Sequence, residues 1–565
     1  MIRIGKILVE EKLITAEELN AAVAEQKKSK ERLGEVLVRL GYVTEKKMLQ
    51  TLARQQGIQF VELTAVTIDN IVLKAVPGKF VWYYKIMPLK LEGNILTVAL
   101  SDPFDLVPID DLETHLGFKV GRVLAGSKDI EMAIKKYYGV GADTIDRILS
   151  DVAMPAQAVS VEEKVEDLEK LAESASIVKL VNQILQEAIS QRATDIHIEH
   201  FRGELVLRYR IDGILYDASI SEKVKYLHQA IVSRIKVMSG LDIVERRMPQ
   251  DGRGKVKIGT KEYELRVSII PTIYGENVVI RILPTAMLFD ITDLGISARD
   301  LVALEQLLKK AYGIIFVTGP TGSGKTTTLY ACLSRLNSRE RKIITIEDPI
   351  EYELRGISQT QINPKIDLTF ATMLRSLLRH DPDVMMVGEV RDRVTAEVTI
   401  QTALTGHLVF STLHTNDAAS GVTRLIDIGI EPYLVASSAI AFLAQRLVRV
   451  ICKNCKEPVT LSGLGFKEDQ LRAEGFRWDP GTLFYHGKGC KLCNHTGFKG
   501  RAAIYEILVV DEAIKSLIMS KVPAHIIKEE ALKRGMRTLK DDGWEKVLAG
   551  VTTPDEVLRV TQLEI

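Results

Sequence analysis

The chain has 565 residues, is 46% hydrophobic and 26% charged, and carries a net charge of +1. That length implies several domains at roughly 100–200 residues each. Near-neutrality excludes a bulk electrostatic grip on nucleic acid, leaving only a local basic patch for that purpose.

The start, Met1-Ile2-Arg3-Ile4-Gly5-Lys6, carries charge too early for a secretory signal. No run approaches the ~18 apolar residues that cross a bilayer. The nearest, Tyr433 to Leu443, is short and includes Ser437 and Ser438. The expectation is a cytoplasmic protein whose membrane role comes through partners.

In chain order, residues 1–138 read as α/β structure that opens with an internal repeat. Arg3-Ile4-Gly5, Leu8-Val9, Leu13-Ile14, Leu19 and Gln26 recur as Arg32-Leu33-Gly34, Leu37-Val38, Tyr42-Val43, Met48 and Gln55. Leu and Val at helical spacing predict a duplicated helix–turn–helix. Residues 139–173 lose hydrophobic periodicity, gain Gly139, Gly141 and Pro155, and turn acidic from Val161 to Glu173; they read as a linker, helical at its end. Residues 174–285 read as α+β. A helix over Ser176–Arg192 buries Ile177, Leu180, Val181, Ile184, Leu185 and Ala188, and alternating strands follow near 195–199, 205–210 and 262–267. Residues 286–565 hold the chemistry, with a cysteine segment at 451–500 and closing helices near 524–534 and 554–561.

Four short apolar runs in this last part end in reactive residues. Ile314 to Thr318 leads into Gly319-Pro320-Thr321-Gly322-Ser323-Gly324-Lys325-Thr326, with Thr327 opening a helix-like run to Leu336. This is G-x-x-x-x-G-K-[ST] in its strand–loop–helix context. The glycines turn backbone N–H groups toward phosphate oxygens, Lys325 adds a mobile cation, and the Thr326 hydroxyl suits Mg²⁺. Ile343 to Ile346 ends at Glu347-Asp348-Pro349-Ile350-Glu351. Val384 to Val387 ends at Gly388-Glu389-Val390-Arg391-Asp392. Leu408 to Leu413, preceded by His407, ends at His414-Thr415-Asn416-Asp417. Read as parallel strands, these runs deliver phosphate loop, carboxylates and imidazole to one sheet edge. Phosphoryl transfer to water needs positioning, a carboxylate for the water and cations for the developing charge. Glu347 and Glu389 are the carboxylate candidates, with the choice of base left open, and His414 is placed to contact the γ-phosphate. A strand-end carboxylate capping the next helix is the ordinary alternative for any one of them. Cys332, alone in the helix after the loop, reads as core packing.

Cys452-Lys453-Asn454-Cys455 and Cys490-Lys491-Leu492-Cys493 form two C-x-x-C knuckles. Four thiolates at this spacing suit tetrahedral Zn²⁺ with no open position, so the site reads as structural. A disulfide pair is the alternative, disfavoured in a reducing compartment.

The segments 319–326, 345–352, 381–392 and 405–417 resemble the Walker A, Asp box, Walker B and His box of the secretion ATPases, the hexameric motors of type II secretion and type IV pilus assembly. The likeness runs from about Ser174 to the C-terminus. Gly388 stands at the usual Walker B Asp position, with Glu389 next. The resemblance implies a RecA-like ATPase core preceded by a PAS-like domain, with His407 in the His box. It also implies arginines that reach the nucleotide, at Arg266, Arg281, Arg375 and Arg379; a lone strand Arg is otherwise ordinarily solvated or ion-paired. It further implies a tetracysteine zinc segment typical of assembly rather than retraction members, and an inner-membrane platform protein as partner. The loop between the cysteine pairs is longer than in common ribbons.

The N-terminal repeat is similar to the MshEN-type, cyclic di-GMP-binding domain of some pilus and secretion ATPases. Arg32-Leu33-Gly34, Leu37, Gly41 and Gln55 match its pattern, whereas the first copy has Ile4 for Leu and Lys12 for Gly. The resemblance implies cyclic di-GMP at Arg3, Arg32 and Gly34; a helical docking module is the other reading. The expected function is thus an ATP-hydrolysing homo-hexamer that builds a type II secretion pseudopilus. Type IV pilus assembly is the alternative, and a nucleic-acid translocase or a nucleotide-gated scaffold the more distant ones. The cofactors expected are ATP, Mg²⁺, Zn²⁺ and cyclic di-GMP, with no nucleic acid as partner.

Overall fold

The structure, a computed structural model, describes residues 4–29, 31–139, 144–145, 174–284, 290–479 and 481–562. Arg3 and nearly all of the 139–173 segment lie outside the described residues. The chain divides into two compact units, Met1–Ile282 and Leu283–Ile565.

The first unit opens with α1 (Ile4–Glu10), α2 (Ala16–Ser29), α3 (Leu33–Arg39) and α4 (Glu45–Gln56), the duplicated pair read from the sequence. Equivalent residues Leu8 and Leu37, and Ile14 and Val43, share one buried cluster. The repeat extends to atomic packing. A Cβ on Gly5 would sit 2.6 Å from Leu19, and one on Gly34 would sit 2.7 Å from Met48. Each glycine therefore admits the neighbouring helix. Gly41 closes its turn at φ 77°, and the matching Lys12 takes the same left-handed region at φ 55°, so the sequence departure leaves the backbone pattern intact.

Next come α5 (Asn70–Ala75), α6 (Gly78–Tyr84), β1 (Met87–Glu92), β2 (Ile95–Leu100), α7 (Val107–Leu116), β3 (Lys119–Leu124) and α8 (Ser127–Tyr138) around a three-stranded sheet. Within the segment read as a linker, Ile145 is buried and Thr144 Oγ1 lies 3.0 Å from Gln183 Oε1. Those two residues pack against α9 (Ala175–Ser190). All six apolar residues predicted for the inner face of α9 are buried. The six-stranded sheet beside it consists of β4 (Ala193–Phe201), β5 (Glu204–Ile211), β6 (Ile214–Asp217), β7 (Gln250–Ile258), β8 (Lys261–Thr272) and β9 (Gly275–Pro284), with α10 (His228–Met238) also contributing to its core. Its order is β6-β5-β4-β9-β8-β7.

The second unit starts with α11 (Ala298–Leu308) and is built on a seven-stranded sheet. β10 (Gly313–Thr318) leads into α12 (Lys325–Leu336). β11 (Ile343–Glu347), β12 (Ser358–Gln361), α13 (Phe370–Leu377), β13 (Val384–Val387), α14 (Arg393–Leu404), β14 (Leu408–Leu413), α15 (Ala418–Asp427), α16 (Pro432–Ser438) and β15 (Ala439–Ile451) follow. The apolar run Tyr433 to Leu443 is thus split between a short helix and a strand. No helix among the described residues is long and apolar enough to cross a membrane.

The cysteine segment contains β16 (Lys456–Val459), α17 (Glu468–Ala473) and β17 (Phe484–Gly487). The chain returns through β18 (Phe498–Val509) antiparallel to β15 and ends in α18 (Glu512–Met519), α19 (Ala524–Lys533), α20 (Leu539–Leu548) and α21 (Pro554–Thr561). Sheet order is β12-β11-β13-β14-β10-β15-β18, parallel except at β15–β18. The four apolar runs are β11, β13, β14 and β10, adjacent in that order. Every residue of these four strands is buried, which is why they read as unbroken apolar stretches.

Candidate active site

The carboxyl ends of β10, β13 and β14 carry the phosphate loop, Glu389 and His414. Two glycines of the loop are dictated by contact. A Cβ on Gly319 would lie 2.6 Å from Gln445 O, and one on Gly324, at φ 90°, would lie 2.8 Å from Gln445 Nε2. Thr321 and Gly322 are exposed at the tip, while Ser323 is buried. Lys325 Nζ donates to the carbonyls of Gly319 (2.8 Å) and Pro320 (3.2 Å). Burial pushes the Lys325 ammonium down to about 8; Glu389 opposes the shift and Arg446 adds to it. Thr326 is half-buried in the first turn of α12. Thr327, half-buried beside it, lies near Tyr352.

Glu389 Oε2 lies 3.6 Å from His414 Nε2 and 2.6 Å from Arg391 Nε. The imidazole is held below its usual value first by burial and then by Lys325. It is therefore neutral near pH 7. The turn carrying Glu389 is stitched to β14: Thr412 Oγ1 donates to Gly388 O (2.7 Å) and Ser411 Oγ to Val387 O (2.8 Å).

Glu347 differs in kind. It is 3% exposed. Its Oε1 accepts from Thr345 Oγ1 (2.6 Å) and Gln359 Nε2 (3.1 Å), and its Oε2 accepts from the Tyr330 hydroxyl. Burial raises its pKa while those donors oppose the shift. The two carboxylates left open in sequence are thus one buried and hydrogen-bonded at both oxygens, and one flanked by His414, Arg391 and Lys325.

His407 stands at the start of β14, where its carbonyl accepts from Gly313 N (3.1 Å), the first residue of β10. Six residues of strand, about 20 Å, separate it from the end bearing His414. It does not join this cluster; its ring nitrogen contacts Thr402 O and Thr405. Arg375 and Arg379 are exposed and form no ion pair among the described residues, with Arg379 donating to Arg375 O. In the first unit, Arg281 Nε pairs with Asp195 (2.9 Å), and Arg266 is partly buried on β8 opposite Arg253. Arg32 pairs with Asp102, its guanidinium largely exposed.

Sequence reading missed Arg446, Gln445, Arg391, Tyr330 and Gln359. Arg446 is 4% exposed on β15 and donates to Asn416 O at 2.7 Å. The available signal was Gln445-Arg446 interrupting an apolar strand.

The four knuckle cysteines bring their sulfurs within 4.8 Å of one another. Cys452–Cys490 and Cys455–Cys493 are 3.8 Å apart and Cys490–Cys493 3.7 Å. A tetrahedron with Zn–S near 2.3 Å has edges of about 3.8 Å, and a disulfide requires about 2.05 Å. The residues therefore fit Zn²⁺, and all four are free thiols. The Asn454 amide, aided by the backbone N–H groups of Cys493 and Leu492, draws the Cys490 thiol down to about 6. The long loop between the knuckles packs against α20 and α21 in a small core with Trp544, Val547 and Val557, where Phe476 stacks on Trp544 at 4.6 Å.

The family model described as "Type II/IV secretion system protein" matches residues 170–559, and the MshEN domain model matches residues 56–144, after both Arg-x-Gly units. The chain is 42% identical over 561 residues to the type IV pilus assembly ATPase PilB of Myxococcus xanthus, covering 98% of each. It is 44% identical over 477 residues to the type II secretion system protein E of Pseudomonas aeruginosa, covering 83% of this chain and 92% of that one. The X-ray structure of the Legionella pneumophila ATPase DotB shares the fold at 20% identity and a TM-score of 0.50, covering 67% of this chain and 95% of that one. The chain belongs to the type II/IV secretion system protein family and joins an MshEN domain to that family's ATPase core.

Proposed function

We propose that this chain hydrolyses ATP to drive assembly of a type II secretion pseudopilus, with assembly of a type IV pilus as the alternative. The observation that carries the reading is the convergence of Lys325, Glu389 and His414 at the carboxyl ends of adjacent parallel strands. Relatives named for each system match at similar identity, 44% and 42%.

Glu389 is the residue we assign to the attacking water. It is the carboxylate beside Lys325, whereas both oxygens of Glu347 are committed to protein donors. Neutral His414 donates toward the γ-phosphate, and Lys325 exchanges its loop carbonyls for phosphate oxygens. Mg²⁺ would be held through the Thr326 hydroxyl and supply charge neutralisation at the β/γ-phosphates. We assign Arg266, Arg281, Arg375 and Arg379 as cations that a homo-hexamer brings to the nucleotide, with His407 serving the same assembly. Zn²⁺ on Cys452, Cys455, Cys490 and Cys493 would be structural.

The domain plan we propose is an MshEN-type domain at 1–138, a linker at 139–173, a PAS-like domain at 174–285 and a RecA-like domain at 286–565. The protein would act in the cytoplasm against an inner-membrane platform partner. Cyclic di-GMP at Arg3, Arg32 and Gly34 is supported by the family pattern. Calorimetry with the dinucleotide tests it: heat lost in Arg32→Ala is the expected result, and no heat with the intact chain removes the idea.

The hydrolytic assignment is tested by Glu389→Gln. Phosphate release falls about 10²–10⁴-fold, the range for loss of a general base, while binding of a fluorescent ATP analogue persists. Wild-type turnover in that variant would move the role to another group.

A further inference from the structure

Two charged side chains lie almost wholly buried on the neighbouring strands β15 and β18. Arg446 is 4% exposed and Glu506 0%. Ala444 pairs with Glu506 across the ladder, so Arg446, two residues on, lies on the same face. Burying a charge costs several kcal/mol unless it is well matched. Both charges engage the same short turn. Arg446 donates through one guanidinium nitrogen to Asn416 O (2.7 Å), and Glu506 Oε1 accepts from Ala418 N (2.9 Å). Lys528 on α19 lies between two carboxylates, 3.3 Å from Asp417 and 3.7 Å from Glu506.

The turn is the one that carries His414. On its other side Thr318, the last residue before the phosphate loop, bonds to Thr415 N (3.0 Å) and Thr415 O (3.1 Å). Arg446 also lies against the loop itself, its Nη1 3.2 Å from where a Cβ on Gly319 would sit. One arginine therefore touches both the phosphate loop and the imidazole-bearing turn. Asp417 caps α15 through Ser420 N (2.7 Å) and Glu506 takes the N–H of its first residue, whereas Arg446 donates to Asn416 O in the turn before the helix and contributes nothing to its capping.

We propose that Arg446, Glu506 and Lys528 are positioning residues for ATP turnover: a buried charge group that sets the His414 turn relative to the phosphate loop. The proposal rests on the hydrolytic reading above. Its physical content is that small errors in the placement of a group at the reacting phosphoryl are costly, a 1 Å misplacement removing about 10²-fold in rate. None of the three touches the reacting atoms in this account. Their loss therefore lowers kcat and leaves nucleotide affinity nearly unchanged.

The test uses the full chain in Lys528→Met, Glu506→Gln, Arg446→Met and Arg446→Lys forms, with Glu389→Gln as control. Steady-state kcat and KM, the Kd of a fluorescent ATP analogue and the melting temperature are measured on each. We expect kcat to fall about tenfold in Lys528→Met and up to about 10²-fold in Arg446→Met, with Kd within error of the parent, melting near parental in Lys528→Met and lowered in Arg446→Met where buried groups lose their partner, and partial recovery of kcat in Arg446→Lys. Should Arg446→Met fail to fold, partly exposed Lys528 carries the test. Parental kcat in both Lys528→Met and Glu506→Gln, with the Glu389→Gln control inactive, overturns the positioning role alone. So does a fall in kcat that only follows a fall in melting temperature with no rescue by Arg446→Lys. A control that keeps parental turnover instead overturns the hydrolytic reading, and this proposal with it.

Discussion

Glu347 and Glu389 sit at the ends of neighbouring strands, yet their surroundings give them different chemistry. A carboxylate with Tyr330, Thr345 and Gln359 on its oxygens is anchored; one beside Lys325 and His414 is poised for a substrate. Glu347→Gln presents an amide donor to the hydroxyl donors, so it should cost about 1–3 kcal/mol, read as a lowered denaturant midpoint. In the first unit, His228 is the residue whose burial matters most for pH. It stacks on His200 at 4.7 Å and meets Glu276 O through Nε2 at 2.9 Å. Burial holds it down to about 4. A folded pKa below the unfolded one means that the unfolded chain takes the proton first. Stability is then full above about 6.5 and is lost as pH falls toward 4, by roughly 3 kcal/mol in all. Denaturation at pH 7 and pH 4.5 checks this: the difference should shrink in His228→Gln, and an unchanged difference would contradict it.

At the scale of elements, the duplicated helix pair depends on Gly5 and Gly34. Gly34→Leu drives a side chain into Met48, and overpacking of this kind costs about 1–3 kcal/mol; the melting temperature should drop, with partial recovery in the double variant Gly34→Leu, Met48→Ala. The knuckles make a second prediction. Chelation should release one zinc per chain and expose the four thiols to alkylation, and thiols that react fully without metal loss would argue against the site. These elements also show what could be read ahead of the structure. The four strands at the site were legible because burial on both faces fills them mostly with apolar residues, leaving only a few buried polar ones such as Thr345, Ser411 and Thr412. The cysteine spacing was legible because four thiols close enough to share one ion recur at C-x-x-C spacing. The helix contact of Gly34 was not, since one residue type serves both ligand approach and helix contact. Arg446 was not legible because a lone strand arginine is ordinarily solvated, and Glu506, which meets Ala418 from far along the chain, gives no local signal. His407 and His414 look like one cluster in sequence, but a strand keeps its two ends apart.

At the scale of the whole molecule, the chain couples a helical-repeat and MshEN part to an ATPase core whose sheet places the phosphate loop, Glu389 and His414 on one edge. The strands β15 and β18 frame the cysteine knuckles at one end and reach the phosphate loop and the His414 turn with Arg446 and Glu506. Loop, turn and knuckles therefore share the same two strands. Family membership and active-site geometry lead to one central claim, that ATP is cleaved at the Lys325 cradle. The most direct measurement is phosphate release by the purified full chain with Mg²⁺ and ATP, alongside Lys325→Ala. The account predicts turnover that Lys325→Ala abolishes while the fold, followed by melting, is kept. Turnover that survives Lys325→Ala would contradict it.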